Sequence, residues 1–184
     1  MKPLHYLLLF LLTPSFFFAQ SYTVNGSKSN IEWLGKKTTG AHNGTILVQE
    51  GFMKINNNGD ITDGEFILNM QSITCSDLKG SKKEYLEEHL KAEDFFNTKE
   101  YSTASFKITK VNAKKIFGVL TIKGIAKDIS FDYKQTEKLK YEAEIIVDRT
   151  LFDIKYKSKT IFKDIGDHFI YDDFIITLNP IIFK

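Results

Sequence analysis

Alternating hydrophobic and polar residues along much of the chain predict an antiparallel β protein. From Leu139 to Asp148 apolar side chains occupy every second position between charged ones, with Ile146 the one lapse. Shorter series of the same period run over residues 104–108 and 129–133. A period of two places alternate side chains on one face of a strand, so each series predicts a strand with a buried and a solvated face.

Turn signals divide the remaining apolar stretches into further strands. Asn58–Gly59 lies between apolar runs at 52–55 and 61–68 and is typical of a tight hairpin turn. Residues 135–138 are expected to close the hairpin that precedes Leu139, and the polar residues 35–45 predict a hairpin loop. Together with the apolar runs at 116–123 and 169–183, these segments predict eight to ten antiparallel strands.

One segment has helical spacing instead. Ser81 with Glu84 three residues later has the form of a capping box, and apolar residues follow at helical intervals up to Leu90. We expect one short helix over residues 81–91, extended by a turn through Phe95–Phe96.

The N-terminal segment predicts export. Residues 1–19 carry a positive charge at Lys2, continue with an apolar run over residues 6–12 and end at Ala19. This order is typical of a secretory signal peptide, and the run is shorter than the roughly 20 residues that a membrane-spanning helix needs. The expectation is a domain over residues 20–184 that is periplasmic or extracellular and not stably inserted in a membrane.

Composition narrows the function classes. The 184 residues carry a formal net charge of +2. A charge so close to zero does not provide the basic surface that nucleic-acid binding requires. Cys75 is the single cysteine, so an intrachain disulfide is impossible. Aromatic residues make up 14% of the chain and include 16 Phe.

Residues that could carry chemistry are sparse. His42, His89 and His168 show no short metal-ligand spacing, and no cofactor is expected. A Cys75–His89 nucleophile pair keeps a metal- or cysteine-dependent hydrolase open as an alternative. Burial of Cys75 as a small apolar side chain is the simpler interpretation.

Three segments of the chain resemble the YceI-like family of secreted polyisoprenoid-binding proteins. His89–Phe96 followed by Thr103–Phe106 is similar to the family's His-Leu…Asp-Phe-Phe segment and the strand after it, with Ser102 in place of a proline. Gly118–Lys127 is similar to its Gly-x-Leu-Thr-Ile-x-Gly-x-x-Lys motif. A third pattern surrounds the chain's single arginine and has Asp153 where many members carry Gly; its residues are Asp148, Arg149, Thr150, Phe152, Asp153, Tyr156 and Ser158. Four earlier positions also match, so the resemblance spans roughly residues 22–183: Ser29, Trp33, His42 and Gly44.

The resemblance implies an all-β fold, an extended eight-stranded antiparallel lipocalin-like barrel with one short helix, whose apolar interior holds an isoprenoid or similar long-chain lipid. An eight-stranded barrel is wide enough for one small ligand, and inward aromatic rings offer it broad apolar contact. The side chains expected to line this channel are Trp33, Phe66, Leu68, Phe106, Ile108, Leu120, Ile122, Phe131, Tyr133, Tyr141, Ala143, Ile145 and Phe152.

A polar mouth for the ligand head group is expected at His42, Arg149 and Tyr156. Arg149 has two interpretations, because a planar cation suits either a diphosphate or a structural carboxylate. Asp148, Asp153 and Asp167 are its candidate partners. A secreted stress or interaction domain, whose core is filled by its own side chains, stays open beside the lipid-binding protein and the hydrolase.

Overall fold

The structure, a computed structural model, describes residues 19–162, 164 and 166–184. The predicted signal peptide therefore lies, apart from Ala19, outside the described residues. Within them, nine strands, one α-helix and two 3₁₀ helices form: β1 (Gln20–Thr23), β2 (Ile31–Lys37), β3 (Gly40–Ile55), β4 (Ile61–Cys75), α1 (Ser81–Lys91), β5 (Thr103–Asn112), β6 (Lys115–Ile122), β7 (Ile125–Glu137), β8 (Lys140–Asp148), the 3₁₀ helices Arg149–Phe152 and Gly166–His168, and β9 (Ile170–Ile182).

The strands close into an eight-stranded antiparallel barrel. From β2 to β9 each strand pairs with the next along the chain, and β9 pairs with β2 to complete the cylinder. The short β1 pairs with residues 52–55 of β3, beyond the reach of β2, so β1 and β2 together fill one strand position. The predicted eight-stranded barrel is confirmed. Closure removes the free edges that β2 and β9 would have in an open sheet.

The two ends of the barrel differ. At the hairpin end, tight turns at 56–60, 113–114 and 138–139 join consecutive strands. At the helix end lie α1, the turns at 38–39 and 123–124, and the long connection from β8 to β9. Glu87 fixes α1 over this end, because its carboxylate accepts hydrogen bonds from the Thr74 hydroxyl and from the Cys75 backbone N–H, the latter at 2.8 Å.

The helix has the predicted bounds but not the predicted cap. Gly80, with φ of 58°, is the N-cap residue, and its carbonyl accepts the N–H groups of Lys83 and Glu84. Ser81 is already the first helical residue, so a capping box with Glu84 does not form.

Two predicted turns are also corrected. Residues 35–45 are strand rather than loop, because β2 and β3 pair from Gly35↔His42 to Lys37↔Gly40 and leave a turn of two residues. The turn between β7 and β8 lies at 138–139 rather than 135–138, where Leu139 adopts a φ of 60°. In both cases polar side chains on the outer face of a strand look like a loop in the sequence.

Candidate ligand-binding site

Four spaces follow one another along the barrel axis. A helix-end cleft of ≈ 660 Å³ comes first, then a helix-side cavity of ≈ 60 Å³, a central cavity of ≈ 100 Å³ and a hairpin-end cleft of ≈ 350 Å³. Their order is read along β2, where Lys37 lines the first, Trp33 the second and Ile31 the third. On β8, Tyr141 lines both the central cavity and the hairpin-end cleft.

The central cavity is enclosed by inward apolar side chains from the barrel strands. Alternation along β4 to β8 puts their rings and methyl groups inside. Phe106 and Phe131 meet with ring centroids 5.4 Å apart, and Phe66 meets Phe183 at 6.0 Å. Phe106 also packs so closely on Gly118 that a Cβ at that position would lie 2.4 Å from its ring, so only glycine fits there.

Ten of the thirteen side chains expected to line the channel surround the central cavity. They are Phe66, Leu68, Phe106, Ile108, Leu120, Phe131, Tyr133, Tyr141, Ala143 and Ile145.

The other three expected channel residues lie elsewhere in the core. Trp33 lines the helix-side cavity, where its indole N–H donates to the Thr74 carbonyl at 3.1 Å. Ile122 and Phe152 are buried without lining any of the four spaces. Ile122 is the last residue of β6 and Phe152 belongs to the 3₁₀ helix after β8, so both lie toward the helix end, beyond the central cavity.

Phe95 and Phe96 join Trp33 around the helix-side cavity. A layer of aromatic rings therefore lies between the central cavity and the helix-end cleft.

Arg149 is a core residue rather than part of a mouth. It is 2% exposed, and its guanidinium donates to the backbone carbonyls of Tyr171, Ile154 and Ile170 at 3.1, 2.7 and 3.1 Å. A buried guanidinium needs acceptors for its donors, and here the backbone around β9 supplies them.

The carboxylate beside Arg149 is Asp172, 3.6 Å away, and not one of the three predicted partners. Asp148 instead accepts from the N–H and hydroxyl of Thr150, and Asp153 pairs with Lys155. The side chain of Asp167 lies outside the described residues. Asp153 adopts a φ of 58°, a conformation that Asp tolerates better than most residues, so the tight turn forms although the residue is not glycine.

His42 and Tyr156, the other two expected head-group residues, do line one space, the helix-end cleft. Three lysines, Lys37, Lys82 and Lys157, line it as well. Because the aromatic layer intervenes, neither His42 nor Tyr156 reaches the central cavity.

A histidine–carboxylate pair lies at this cleft. His42 Nδ1 is 2.8 Å from Asp77 Oδ2, while Asp77 Oδ1 accepts from the backbone N–H of Asn43 at 3.0 Å and from the Cys75 thiol at 3.2 Å. Partial burial raises the pKa of Asp77, but these hydrogen bonds outweigh it and bring the pKa to about 2.

The Cys75–His89 nucleophile pair, kept open as an alternative, does not form. Cys75 is 1% exposed and donates to Asp77, and burial, followed by the hydrogen bond to that carboxylate, raises the pKa of its thiol. His89 packs edge-on against Tyr156 at 4.4 Å and Phe95 at 5.6 Å.

The described part of the chain contains neither a cluster of metal ligands nor a helix suited to span a membrane. In residues 19–162, 164 and 166–184, no three His, Cys, Asp or Glu side chains are grouped closely enough to hold a metal ion. Over the same ranges, no helix has the length and apolar character needed to cross a membrane.

The hairpin-end cleft is the part of the site that sequence reasoning missed. Four amide side chains, two tyrosines and one lysine supply its polar groups: Gln20, Asn56, Asn57, Gln135, Tyr22, Tyr141 and Lys138. The strand pattern points Tyr141 inward, but no local signal places it beside residues more than 80 positions away.

Comparison with known proteins gives related folds. Burkholderia cenocepacia BcnA superimposes with a TM-score of 0.62 at 19% identity, over 86% of this chain and 98% of that one. A domain from Saccharophagus degradans, described as polyisoprenoid binding and implicated in plant cell wall breakdown, superimposes with a TM-score of 0.58 at 10% identity, over 89% and 97%. At these identities the likeness establishes the fold alone.

Sequence comparison gives the family. A UPF0312 protein of Staphylococcus aureus is 38% identical over 74 residues, so the match spans 40% of this chain and less than half, 43%, of that curated relative. A family profile described as YceI-like domain matches residues 22–179. Since this match covers most of the chain, the protein belongs to the YceI-like family.

Proposed function

We propose that this protein binds the apolar tail of an isoprenoid or similar long-chain lipid in the central cavity and holds or carries it without chemical change. The observation that carries the proposal is the cavity itself, enclosed by inward apolar side chains along the barrel axis. The Saccharophagus degradans domain of the same fold, described as polyisoprenoid binding, supports it.

Burial of an apolar tail can supply the free energy needed for binding. Burying about ten CH₂-sized groups contributes about 8 kcal/mol at roughly 0.8 kcal/mol each. This exceeds the lower estimates of the free energy lost on association, about 4 kcal/mol.

A cavity of ≈ 100 Å³ is smaller than the roughly 150 Å³ engineered cavity that accepts benzene, so a long tail requires movement of the wall. Rotation of Phe66, Phe106 and Phe131 is the simplest way to provide the space, because Phe106 packs on Phe131 and Phe66 packs on Phe183 in two separate pairs rather than in one continuous stack.

A hydrolase is the second candidate, and the observation in its favour is the His42–Asp77 pair at an open cleft. The nucleophile it would need is poorly placed. Cys75 is buried, and its raised pKa favours the thiol over the reactive thiolate. Lipid binding without catalysis therefore accounts for more of the structure.

Export is part of the proposal. Cleavage after Ala19 would release a chain beginning at Gln20, which is the first residue of β1. Intact-mass measurement on the exported fraction tests this: a species beginning at Gln20 is expected. A chain that keeps Met1–Ala19 and stays in the membrane fraction would contradict it.

Saturation binding tests the proposed function. The exported protein is titrated with a C20 isoprenoid alcohol, and quenching of Trp33 and tyrosine fluorescence is followed. One saturable site per chain is expected. An absence of saturable binding, with the protein folded by circular dichroism, would reject the lipid-binding proposal and favour a core filled by its own side chains.

A further inference from the structure

Tyr141 carries a buried hydroxyl that has no hydrogen-bond partner among the described residues. The residue is 7% exposed, and its ring packs edge-on against Phe183 with centroids 5.8 Å apart. Buried polar groups in native proteins almost always have partners, and an exception calls for a water or a ligand to supply one. The hydroxyl is therefore available to an incoming molecule.

The position of Tyr141 distinguishes it from the other cavity tyrosine. Tyr133 lies alongside with ring centroids 6.2 Å apart, but its hydroxyl donates to the Ala113 carbonyl at 3.3 Å. Tyr141 lines both the central cavity and the hairpin-end cleft, so it stands where the apolar interior meets the outside.

The chemistry around Tyr141 is that of a neutral site. Burial, with smaller contributions from Tyr133 and Tyr22, raises the pKa of the Tyr141 phenol, which keeps the hydroxyl protonated and able to donate. Among the described residues, tyrosines aside, Lys138 is the one ionisable residue that lines the hairpin-end cleft and Glu142 the one that lines the central cavity, and their formal charges are opposite. The helix-end cleft, by contrast, carries three lysines.

We propose that the Tyr141 hydroxyl is the polar anchor of the cavity: it donates a hydrogen bond to a neutral carbonyl or hydroxyl oxygen of the lipid, which enters at the hairpin end. This inference rests on the proposed function and specifies its ligand as an uncharged oxygen-bearing lipid. It also moves the polar end of the ligand away from His42 and Tyr156, which line the helix-end cleft and not the central cavity.

The test compares two probes on the exported protein. One is a C18 isoprenoid methyl ketone, and the other is the hydrocarbon of the same skeleton in which CH₂ replaces the carbonyl. Each is titrated into the wild type, Tyr141→Phe and the control Tyr133→Phe, whose hydroxyl is already bonded within the protein.

The wild type is expected to prefer the ketone by about tenfold, the ratio that a net hydrogen bond of about 1.4 kcal/mol gives. Tyr141→Phe should lose this preference while keeping its affinity for the hydrocarbon and its melting temperature. Tyr133→Phe should keep the preference.

The outcomes separate the two proposals. Binding of both probes by the wild type with equal affinity, or a preference that survives Tyr141→Phe, overturns the anchor and leaves lipid binding standing. An isoprenoid diphosphate that binds more tightly than the ketone, equally in both proteins, also overturns the neutral anchor. Binding of neither probe by the folded wild type overturns lipid binding and the anchor together.

Discussion

Replacing Ala143 with tryptophan tests whether the central cavity is where the lipid lies. Ala143 is on β8, lines the cavity and pairs with Tyr133 on one side and Leu178 on the other. Its small side chain leaves space that a larger one would occupy. Ala143→Trp should therefore exclude the lipid tail while the barrel stays folded.

The expected change in the unfolding free energy of Ala143→Trp is the sum of opposing contributions. Burying an indole removes about 150 Å² or more from water, worth about 4 kcal/mol at roughly 25 cal/mol per Å². Overpacking costs about 1–3 kcal/mol, and an unpaired indole N–H about 1–3 kcal/mol. The terms nearly cancel, so we expect the unfolding free energy to change by less than about 2 kcal/mol, or the melting temperature by less than about 8 °C.

Lipid affinity should respond far more strongly than stability. Loss of even four buried CH₂ contacts, about 3 kcal/mol, lowers affinity by more than about a hundredfold. Glu144→Trp is the matched control, because the neighbouring side chain is exposed on the outer face of the same strand.

The assay pairs thermal melting with titration of the C20 isoprenoid alcohol in both variants. A folded Ala143→Trp protein that binds lipid as tightly as Glu144→Trp would refute the placement of the ligand. A collapse of the melting temperature, with no lipid bound by the wild type either, would show that the interior is a filled core.

Three further predictions follow from the helix end. Arg149→Met should lower the unfolding free energy by about 3–5 kcal/mol in urea titrations, because buried backbone carbonyls lose their hydrogen-bond donors and Asp172 loses the opposite charge of its ion pair. A stable variant that has lost lipid binding would instead indicate a head-group contact. The pKa of Asp77 is about 2 in the folded protein against an ordinary 3.8. The stability that the ionised Asp77 carboxylate gives the folded protein is therefore fully present above about pH 4 and is lost as the pH falls through 2. In urea titrations, Asp77→Asn should therefore lower the unfolding free energy by about 1–2 kcal/mol at pH 7, a value reduced because the His42–Asp77 pair is partly exposed, and by almost nothing at pH 2. An equal loss of unfolding free energy at both pH values would contradict this. Cys75→Ala should leave lipid binding unchanged and cost at most about 2 kcal/mol; loss of a measurable activity with stability intact would favour the hydrolase.

What the sequence predicted well depends on local periodicity. Alternation from Leu139 to Asp148 identified β8 and its inward face, and the helical spacing over residues 81–91 gave the bounds of α1. These patterns record which side chains are buried, and burial in a barrel repeats every two residues. The inward positions that surround the central cavity follow from the same rule.

What the sequence did not predict depends on distant packing. The guanidinium of Arg149 is satisfied by backbone carbonyls of β9 about 20 residues later, an arrangement without any local pattern. The helix-side cavity brings Trp33 together with Phe95 and Phe96, which lie about 60 residues later in the chain. The unpartnered hydroxyl of Tyr141 is equally invisible in a sequence, because an inward tyrosine looks the same whether or not a partner exists.

Native mass spectrometry of the exported protein, followed by extraction and identification of what it carries, tests the central claim most directly. Lipid binding predicts a mass excess of one lipid per chain that disappears on extraction, and an extracted molecule with a long isoprenoid or similar apolar tail. The proposed anchor predicts that this molecule also bears a neutral oxygen. A folded wild-type protein that carries no lipid from its host, and takes up none when lipid extracts are supplied, would contradict the claim.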